Sequence, residues 1–179
     1  MSTTANEVQP DQRSEQREHI RRAELLAKRI EEGAALLAAF AEGLSEAEWH
    51  TPVSKTDRRT VGVIVHHVAN MYPIEVQLAQ AIAGGNAIID VTWEAVAQIN
   101  GKHAAEQVDV TKAAALELLR QNSRDAAAAV RKFSDKQLDT AAPFSLSFGA
   151  PVTAQFVIED HAMRHSWHHL ARIRSAVGK

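Results

Sequence analysis

Apolar and polar positions alternate along this chain with the period of an α-helix almost throughout. In residues 13–42, Ile20, Ile30, Leu37 and Phe40 keep a spacing close to 3.6 residues, and no proline interrupts them. The same periodicity predicts further helices at 59–83, 93–107, 111–133 and 153–177, with a short helical turn at 44–49.

Residues that favour helix ends support these boundaries. Ser45, Thr111 and Thr153 stand where a side-chain oxygen is expected to cap the first turn of the following helix. Pro73 lies inside the second long helix and lacks a backbone N–H, so a bend near Ala69 is expected.

Strand signals are scarce, and the predicted fold class is therefore all-α. The alternating segment FSLSF has no second run to pair with, so residues 134–151 are expected to form a long loop. Four long helices and one shorter one, mostly joined by short connections, predict an antiparallel four-helix bundle with an additional short helix. We expect this domain to span residues 13–179, after a frayed or disordered polar tail at 1–12.

Composition narrows the possible functions. The 179 residues are 45% hydrophobic, which is enough for one packed core. The net charge is −2 with the two signs interspersed, so the sequence lacks the concentrated basic stripe of a nucleic-acid binder. The absence of cysteine excludes a disulfide scaffold, a thiolate metal site and a cysteine nucleophile. The sequence contains neither a secretory signal nor a membrane span, so we expect a cytoplasmic protein that binds no membrane.

Five of the nine histidines fall at two places in the sequence, 66–67 and 165–169. His161, His165 and His169 are spaced i, i+4, i+8 along the apolar face of the last predicted helix, and His67 falls on the inward face of an earlier one. Buried neutral histidines need partners for their ring nitrogens, and a shared metal ion satisfies them. The alternative is a solvated face beside the arginines near the chain end.

Other polar and aromatic residues have two interpretations. Asp160, or its neighbour Glu159, either accepts a hydrogen bond from a metal-binding histidine or favours the helix dipole. Asn100 and His103 either line a pocket or lie on the surface of the shorter predicted helix at 93–107. We expect His66 to be exposed or bonded to a backbone carbonyl, and four aromatic residues to be packing groups: Trp49, Tyr72, Trp93 and Trp167.

Two motifs in combination resemble the DinB-like superfamily, which includes bacillithiol and mycothiol S-transferases. They are TVGVIVHHVAN at 60–70 and HSWHHLARI at 165–173, and weaker likenesses at LSEAEW, NGKH and FSDKQL extend the resemblance over nearly the whole chain. The resemblance implies that the metal ligands are His67, His165 and His169. His168 completes the H-x-x-H-H pattern, but the family does not use that position as a ligand.

Three neutral imidazoles leave a tetrahedral divalent ion one open position, which is typical of catalytic sites. Such an ion activates either water or a thiol, and without cysteine in the chain the thiol must be a separate small molecule. The resemblance favours a thiol S-transferase acting on an electrophile. The alternatives are a metal-dependent hydrolase, a stress-response bundle that binds metal or a small ligand without catalysis, and a helical interaction protein without metal.

Spacing alone does not identify the ion. Imidazole ligands suit several metals, and we expect zinc first and nickel next. A ferritin-type di-iron centre is disfavoured because neither Glu75 nor Glu159 begins a Glu-x-x-His pair. A homodimer is expected, since the alanine-rich first and fourth helices offer faces for association.

Overall fold

The computed structural model describes the backbone of residues 12–179 and the side chains from residue 22 onward. The predicted tail at 1–12 therefore lies outside the described residues, except for Gln12, which begins the first helix. The elements in chain order are α1 (Gln12–Glu42), α2 (Glu46–Trp49), α3 (Val61–Ala83), α4 (Trp93–Glu106), α5 (Lys112–Val130), α6 (Asp135–Asp139), β1 (Ala141–Pro143), β2 (Pro151–Thr153), α7 (Ala154–Val157), a π-helical segment (Ile158–Met163) and α8 (Arg164–Val177).

The four long helices α1, α3, α5 and α8 surround one apolar core. α5 packs against both α1 and α3, and α8 completes the arrangement by packing against α1 and α3. Side chains from all four helices are fully buried between them, among them Ile30, Ile64, Leu119 and Ile173. The predicted all-α four-helix bundle is thus confirmed. Within the described part of the chain, none of the helices combines the length and apolarity needed to cross a bilayer.

Side-chain caps determine where several helices begin. The side chains of Ser45, Thr60, Thr92, Thr111 and Thr153 each accept a hydrogen bond from the backbone N–H three residues later. Each cap satisfies one of the donors that a helix leaves unpaired at its first turn. The three predicted caps are among them.

The segment 134–151 is not the loop that the sequence predicts. Ser134 and Gln137 form a capping box that starts α6, and β1 pairs with β2 in an antiparallel two-stranded sheet. The alternating FSLSF run is not a strand, because Ser145–Ser147 form a 3-10 turn between β1 and β2. A strand of three residues is too short to show a recognisable alternation of apolar and polar positions. The alternating pattern therefore falls on FSLSF and not on the residues that form β1 and β2.

The predicted final helix at 153–177 is interrupted. Residues Ile158–Met163 adopt π-helical hydrogen bonding between α7 and α8. A π turn adds a residue to the helical period, so positions before and after it no longer share the face that a continuous α-helix predicts. This change separates His161 from the histidines that follow it.

Pro73 lies within α3, and a side chain from α5 replaces the hydrogen bond that it removes. Pro73 has no N–H to donate to the carbonyl oxygen of Ala69, four residues earlier. The side-chain amide of Asn122 donates to that oxygen at 2.9 Å. Because Ala69 is fully buried, this bond satisfies an acceptor that water does not reach.

The substitution Asn122→Ala is expected to lower the free energy of unfolding by about 1 to 2 kcal/mol, because it leaves the Ala69 carbonyl without a donor. Adding Pro73→Ala is expected to recover most of the loss by restoring the backbone N–H. Urea unfolding of the single and double variants measures the coupling between the two sites. Gln121→Ala, at an exposed position of the same helix, is the control. If the changes in unfolding free energy from Pro73→Ala and Asn122→Ala simply add in the double variant, Asn122 does not compensate for Pro73.

Candidate metal centre

Three histidines from two helices converge inside the bundle. α3 supplies His67, and α8 supplies His165 and His169, which lie one helical turn apart. Their ligand atoms all lie within 4.8 Å of one another, and the Nε2 atoms of His67 and His165 are 3.2 Å apart. His67 and His169 are each only 5% exposed. The structure thus brings together the three residues that the resemblance implies as ligands.

Glu75 orients one ring of the trio. Its Oε1 accepts a hydrogen bond from Nδ1–H of His165 at 2.5 Å, and the residue is 2% exposed. With Nδ1 protonated, the lone pair of the neutral ring is on Nε2, the atom that faces His67. A carboxylate behind a ligating imidazole also increases its basicity.

The sequence left two interpretations open for Asp160 and Glu159, as acceptors for a metal-binding histidine or as acids that favour the helix dipole, and neither residue accepts from His165. Asp160 accepts instead from Arg164 at 3.1 Å, and Glu159 accepts from Gln155 at 2.9 Å. A signal for Glu75 exists in the sequence, because it is the one Asp, Glu, Lys or Arg in α3. A lone carboxylate in a helix that is otherwise mostly buried needs a partner.

Burial keeps two of the histidines neutral in the metal-free protein. Loss of hydration lowers the pKa of His67 to about 3, and the nearby His165 and Arg59 contribute further. Loss of hydration also lowers the pKa of His169 to about 2, with smaller contributions from His165 and His67. Neutral imidazole is the form that binds a metal.

The donor set fits a divalent cation. In the part of the chain that the structure describes, Nδ1 of His169 is buried and has no hydrogen-bond partner. The centre therefore contains neutral nitrogen donors, an unsatisfied ring nitrogen and a carboxylate behind His165. Such a combination of neutral nitrogens and a supporting carboxylate is typical of zinc and related ions.

His161 stays outside this group, although the sequence pattern places it on the same stripe. It lies in the π-helical segment, where its ring meets Phe144 edge-on at a centroid distance of 5.7 Å. It borders the adjacent cavity together with Asp160. The π turn is the reason, since the i, i+4 register holds only within α8.

A second pair of histidines lies beside the trio. Nδ1 of His66 and Nε2 of His103 are 2.8 Å apart, and the two rings stack at 5.0 Å. His103 also meets His67 edge-on at 5.6 Å. The expectation that His66 is exposed or bonded to a carbonyl is therefore wrong. The pair joins α4 to α3 close to the metal centre.

A cavity of about 330 Å³ extends from the trio between α3 and α4. Asn100 and His168 both border it. The exposed ring of His168 meets the ring of His169 edge-on, with 5.0 Å between the ring centroids. Trp93, expected to be a packing residue, is 57% exposed and forms part of the wall. The apolar side chains that line the cavity are Met71, Ile74, Leu78, Val91, Trp93, Val96, Ile99 and Leu146.

Comparison with known families identifies the chain. Residues 29–173 match the model of the DinB superfamily, which covers most of the sequence and includes all three histidines. The chain belongs to the DinB superfamily. A search of curated proteins finds no match for this DinB-superfamily protein.

A solved structure has the fold of this DinB-superfamily protein. YfiT from Bacillus subtilis, described as "a probable metal-dependent hydrolase with an unusual four-helix bundle topology", aligns with a TM-score of 0.69 at 17% identity. The alignment covers 98% of this chain and 92% of that chain. The likeness shows that the two proteins share their fold.

His169→Ala is expected to abolish stoichiometric metal binding, because it removes a buried nitrogen donor from a group of three. Plasma mass spectrometry of the purified protein after zinc loading and desalting measures the bound metal. His161→Ala is the matched control, since it removes a cavity histidine outside the trio and is expected to retain the metal. Equal metal content in both variants would contradict the assignment.

The metal-free protein is expected to lose stability as the pH falls from about 6.5 toward 4. The unfolded chain protonates its histidines near 6.5, whereas burial lowers the pKa of His67 to about 3 in the folded state. The unfolded state therefore binds more protons in this window, and acid favours unfolding.

Urea unfolding at several pH values, with a chelator present, measures this dependence. The slope of the unfolding free energy against pH reports how many more protons the unfolded state binds than the folded state. His67→Gln is expected to reduce this difference by about one proton. His161→Gln, at a less buried position, is the comparison and is expected to reduce it less. A wild-type slope in His67→Gln would disprove the explanation.

Proposed function

We propose that this DinB-superfamily protein is a metal-dependent enzyme that activates a small nucleophile. The observation that carries the proposal is the convergence of three histidine nitrogens beside a cavity large enough for a small substrate. Structural zinc sites are usually closed by four protein ligands, whereas catalytic sites have three and an open position. Among the described residues, the candidate group has three members.

The chain's own residues prepare the site in three ways. His67 and His169 are held neutral by burial and present lone pairs, while Glu75 orients His165. The apolar walls give the cavity a low polarity, which strengthens electrostatic interactions within it. When bound, a divalent ion supplies positive charge that lowers the pKa of water or of a thiol. Zinc is the first candidate for the ion and nickel the second.

We favour a thiol S-transferase, in which the sulfur of a small-molecule thiol forms a C–S bond to an electrophile, the electrophile's leaving group departs with the electron pair of the broken bond, and the thiol proton passes to solvent. The chain has no cysteine, so the thiol is a separate substrate. The resemblance of the two histidine motifs to the family of bacillithiol and mycothiol S-transferases supports this choice. The cavity of about 330 Å³ provides space beside the trio for a small organic substrate.

A metal-dependent hydrolase is the second candidate. The observation that favours it is the shared fold with YfiT, which is described as a probable metal-dependent hydrolase. The same histidine group serves this chemistry with water as the nucleophile. The two candidates differ in whether product formation requires a thiol.

The test uses the full chain loaded with zinc or with nickel. Bacillithiol, mycothiol, glutathione and cysteine are each offered with monobromobimane or 1-chloro-2,4-dinitrobenzene, and thioether products are quantified by mass spectrometry. Metal-dependent thioether formation that is lost in His169→Ala supports the transferase. Hydrolysis of 4-nitrophenyl esters without any thiol supports the hydrolase. Full metal occupancy without turnover of either kind would overturn the catalytic proposal.

Glu75→Gln is expected to weaken zinc binding about 10- to 100-fold, because the ring of His165 loses its carboxylate partner. Competition with a chromophoric chelator measures the affinity. Glu159→Gln is the matched control, since that acid bonds to Gln155 and not to the trio. Equal zinc affinity in the two variants would show that Glu75 does not act through His165.

A further inference from the structure

One face of α4 is apolar and lies over the cavity. Trp93, Val96 and Ile99 are spaced three residues apart, so they share a face, and all three line the cavity. None of the residues of α4 is buried, and Trp93 and Ile99 remain 57% and 54% exposed. α4 therefore presents its apolar side chains to the cavity and not to the core.

The opposite wall is an apolar stripe on α3 that continues from a member of the histidine trio. Met71, Ile74 and Leu78 follow His67 at i+4, i+7 and i+11, which places them along one side of the helix. Ile74 is 39% exposed although α3 is mostly buried. Two apolar faces thus oppose each other across the cavity, which also borders the histidine trio.

α4 is attached at its two ends. At its start, the side chain of Thr92 caps the helix, and the preceding segment is tied to the core where Ser145 donates a backbone hydrogen bond to Ile88 at 2.8 Å. Near its end, His103 bonds to His66 of α3. The cavity separates the two helices between these attachments, and a ligand there would contact both apolar faces.

Each charged side chain at the cavity has one partner nearby. Asp160 pairs with Arg164 at 3.1 Å, and Oε1 of Glu75 accepts from His165, while Oε2 of Glu75 is buried without a hydrogen-bond partner among the described residues. Away from the metal position and Glu75, the walls formed by α3 and α4 offer a charged ligand body no counter-charge to replace its lost hydration. An uncharged apolar body would instead gain from leaving water.

We propose that the electrophilic substrate is a small, uncharged molecule with an aromatic or branched aliphatic body, and that α4 is the helix that selects it. The proposal rests on the proposed function, since it assigns the substrate class of the same site. A volume of about 330 Å³ lies at the small end of ligand pockets. Trp93 offers an aromatic surface for the ligand body, and the reactive group points toward the trio.

The test measures binding separately from turnover. Benzamide and its 4-methyl, 4-ethyl and 4-propyl derivatives are titrated calorimetrically into the zinc-loaded full chain. Each added carbon is expected to tighten binding about fourfold until the alkyl chain fills the space. In the metal-free chain, where its carboxylate has no metal ion to coordinate, 4-carboxybenzamide is expected to bind at least tenfold more weakly than 4-ethylbenzamide, which is of similar size.

A pair of matched variants locates the binding surface. Ile99→Asp places a carboxylate in the cavity wall and is expected to weaken 4-propylbenzamide binding at least tenfold with unchanged zinc content. Val108→Asp, at an exposed apolar position just beyond α4 that does not line the cavity, is expected to leave binding unchanged. Bound 4-propylbenzamide is also expected to slow amide hydrogen exchange in residues 93–106.

The outcomes separate this proposal from the proposed function. Two results would overturn the apolar-substrate proposal and leave the proposed function intact, provided that turnover depends on metal. One is a benzamide affinity that does not change with alkyl length, and the other is an equal effect of Ile99→Asp and Val108→Asp on binding. A graded alkyl series without metal-dependent turnover of any substrate would overturn the proposed function. A third outcome is that the protein self-associates, that Ile99→Asp abolishes this association, and that no benzamide binds. The apolar face of α4 would then be an interface between copies of the chain, and the apolar-substrate proposal would be overturned.

Discussion

The hydroxyl groups of Tyr72 on α3 and Ser166 on α8 lie 2.6 Å apart in the interior of the bundle, and the centre depends on this contact between the two helices. Both residues are fully buried, so their hydroxyl groups satisfy each other where water is excluded. Glu75 and His165 form a second polar contact between the same helices. A slip of one helical turn moves a residue by about 5.4 Å, which exceeds the 4.8 Å span of the trio's ligand atoms. The contact between α3 and α8 is therefore a condition for the site.

Burial has opposite effects on stability and on metal binding. Removing His67 and His169 from water lowers the pKa of both rings, which disfavours their protonation in the folded state and favours unfolding in acid. The same loss of hydration maintains the neutral nitrogens that a divalent ion requires. Among the residues that the structure describes, Nδ1 of His169 has no hydrogen-bond partner, so the surrounding core does not satisfy this site fully by itself. Polar groups of this kind are tolerated where they serve a function.

The centre and its cavity are built from different parts of the fold. The histidines and Glu75 belong to α3 and α8, whose packing forms the core. One wall of the cavity belongs to α4, in which no residue is buried. Substitutions along α4 therefore change the shape of the cavity at little cost to the core, whereas substitutions around Tyr72 affect both. This separation allows the cavity wall on α4 to vary while the histidine trio stays unchanged.

By itself, the sequence determined the features that depend on neighbours along the chain. Apolar periodicity predicts the long helices, and the caps at Ser45, Thr111 and Thr153 follow from local hydrogen bonding. The i, i+4 spacing of His165 and His169 places both on one face of α8, and the paired histidine motifs indicate the superfamily.

Only the tertiary structure decided the features that depend on distant residues. Glu75 meets His165 across 90 positions, and His66 meets His103 across 37, so no local pattern predicts either contact. The π turn shifts His161 away from the trio, although the residue spacing alone fits a regular helix. Trp93 forms part of the cavity wall because α4 stands apart from the core, whereas its aromatic character alone favours packing. Each of these outcomes depends on which surfaces meet when the helices pack, and a one-dimensional pattern does not contain that information.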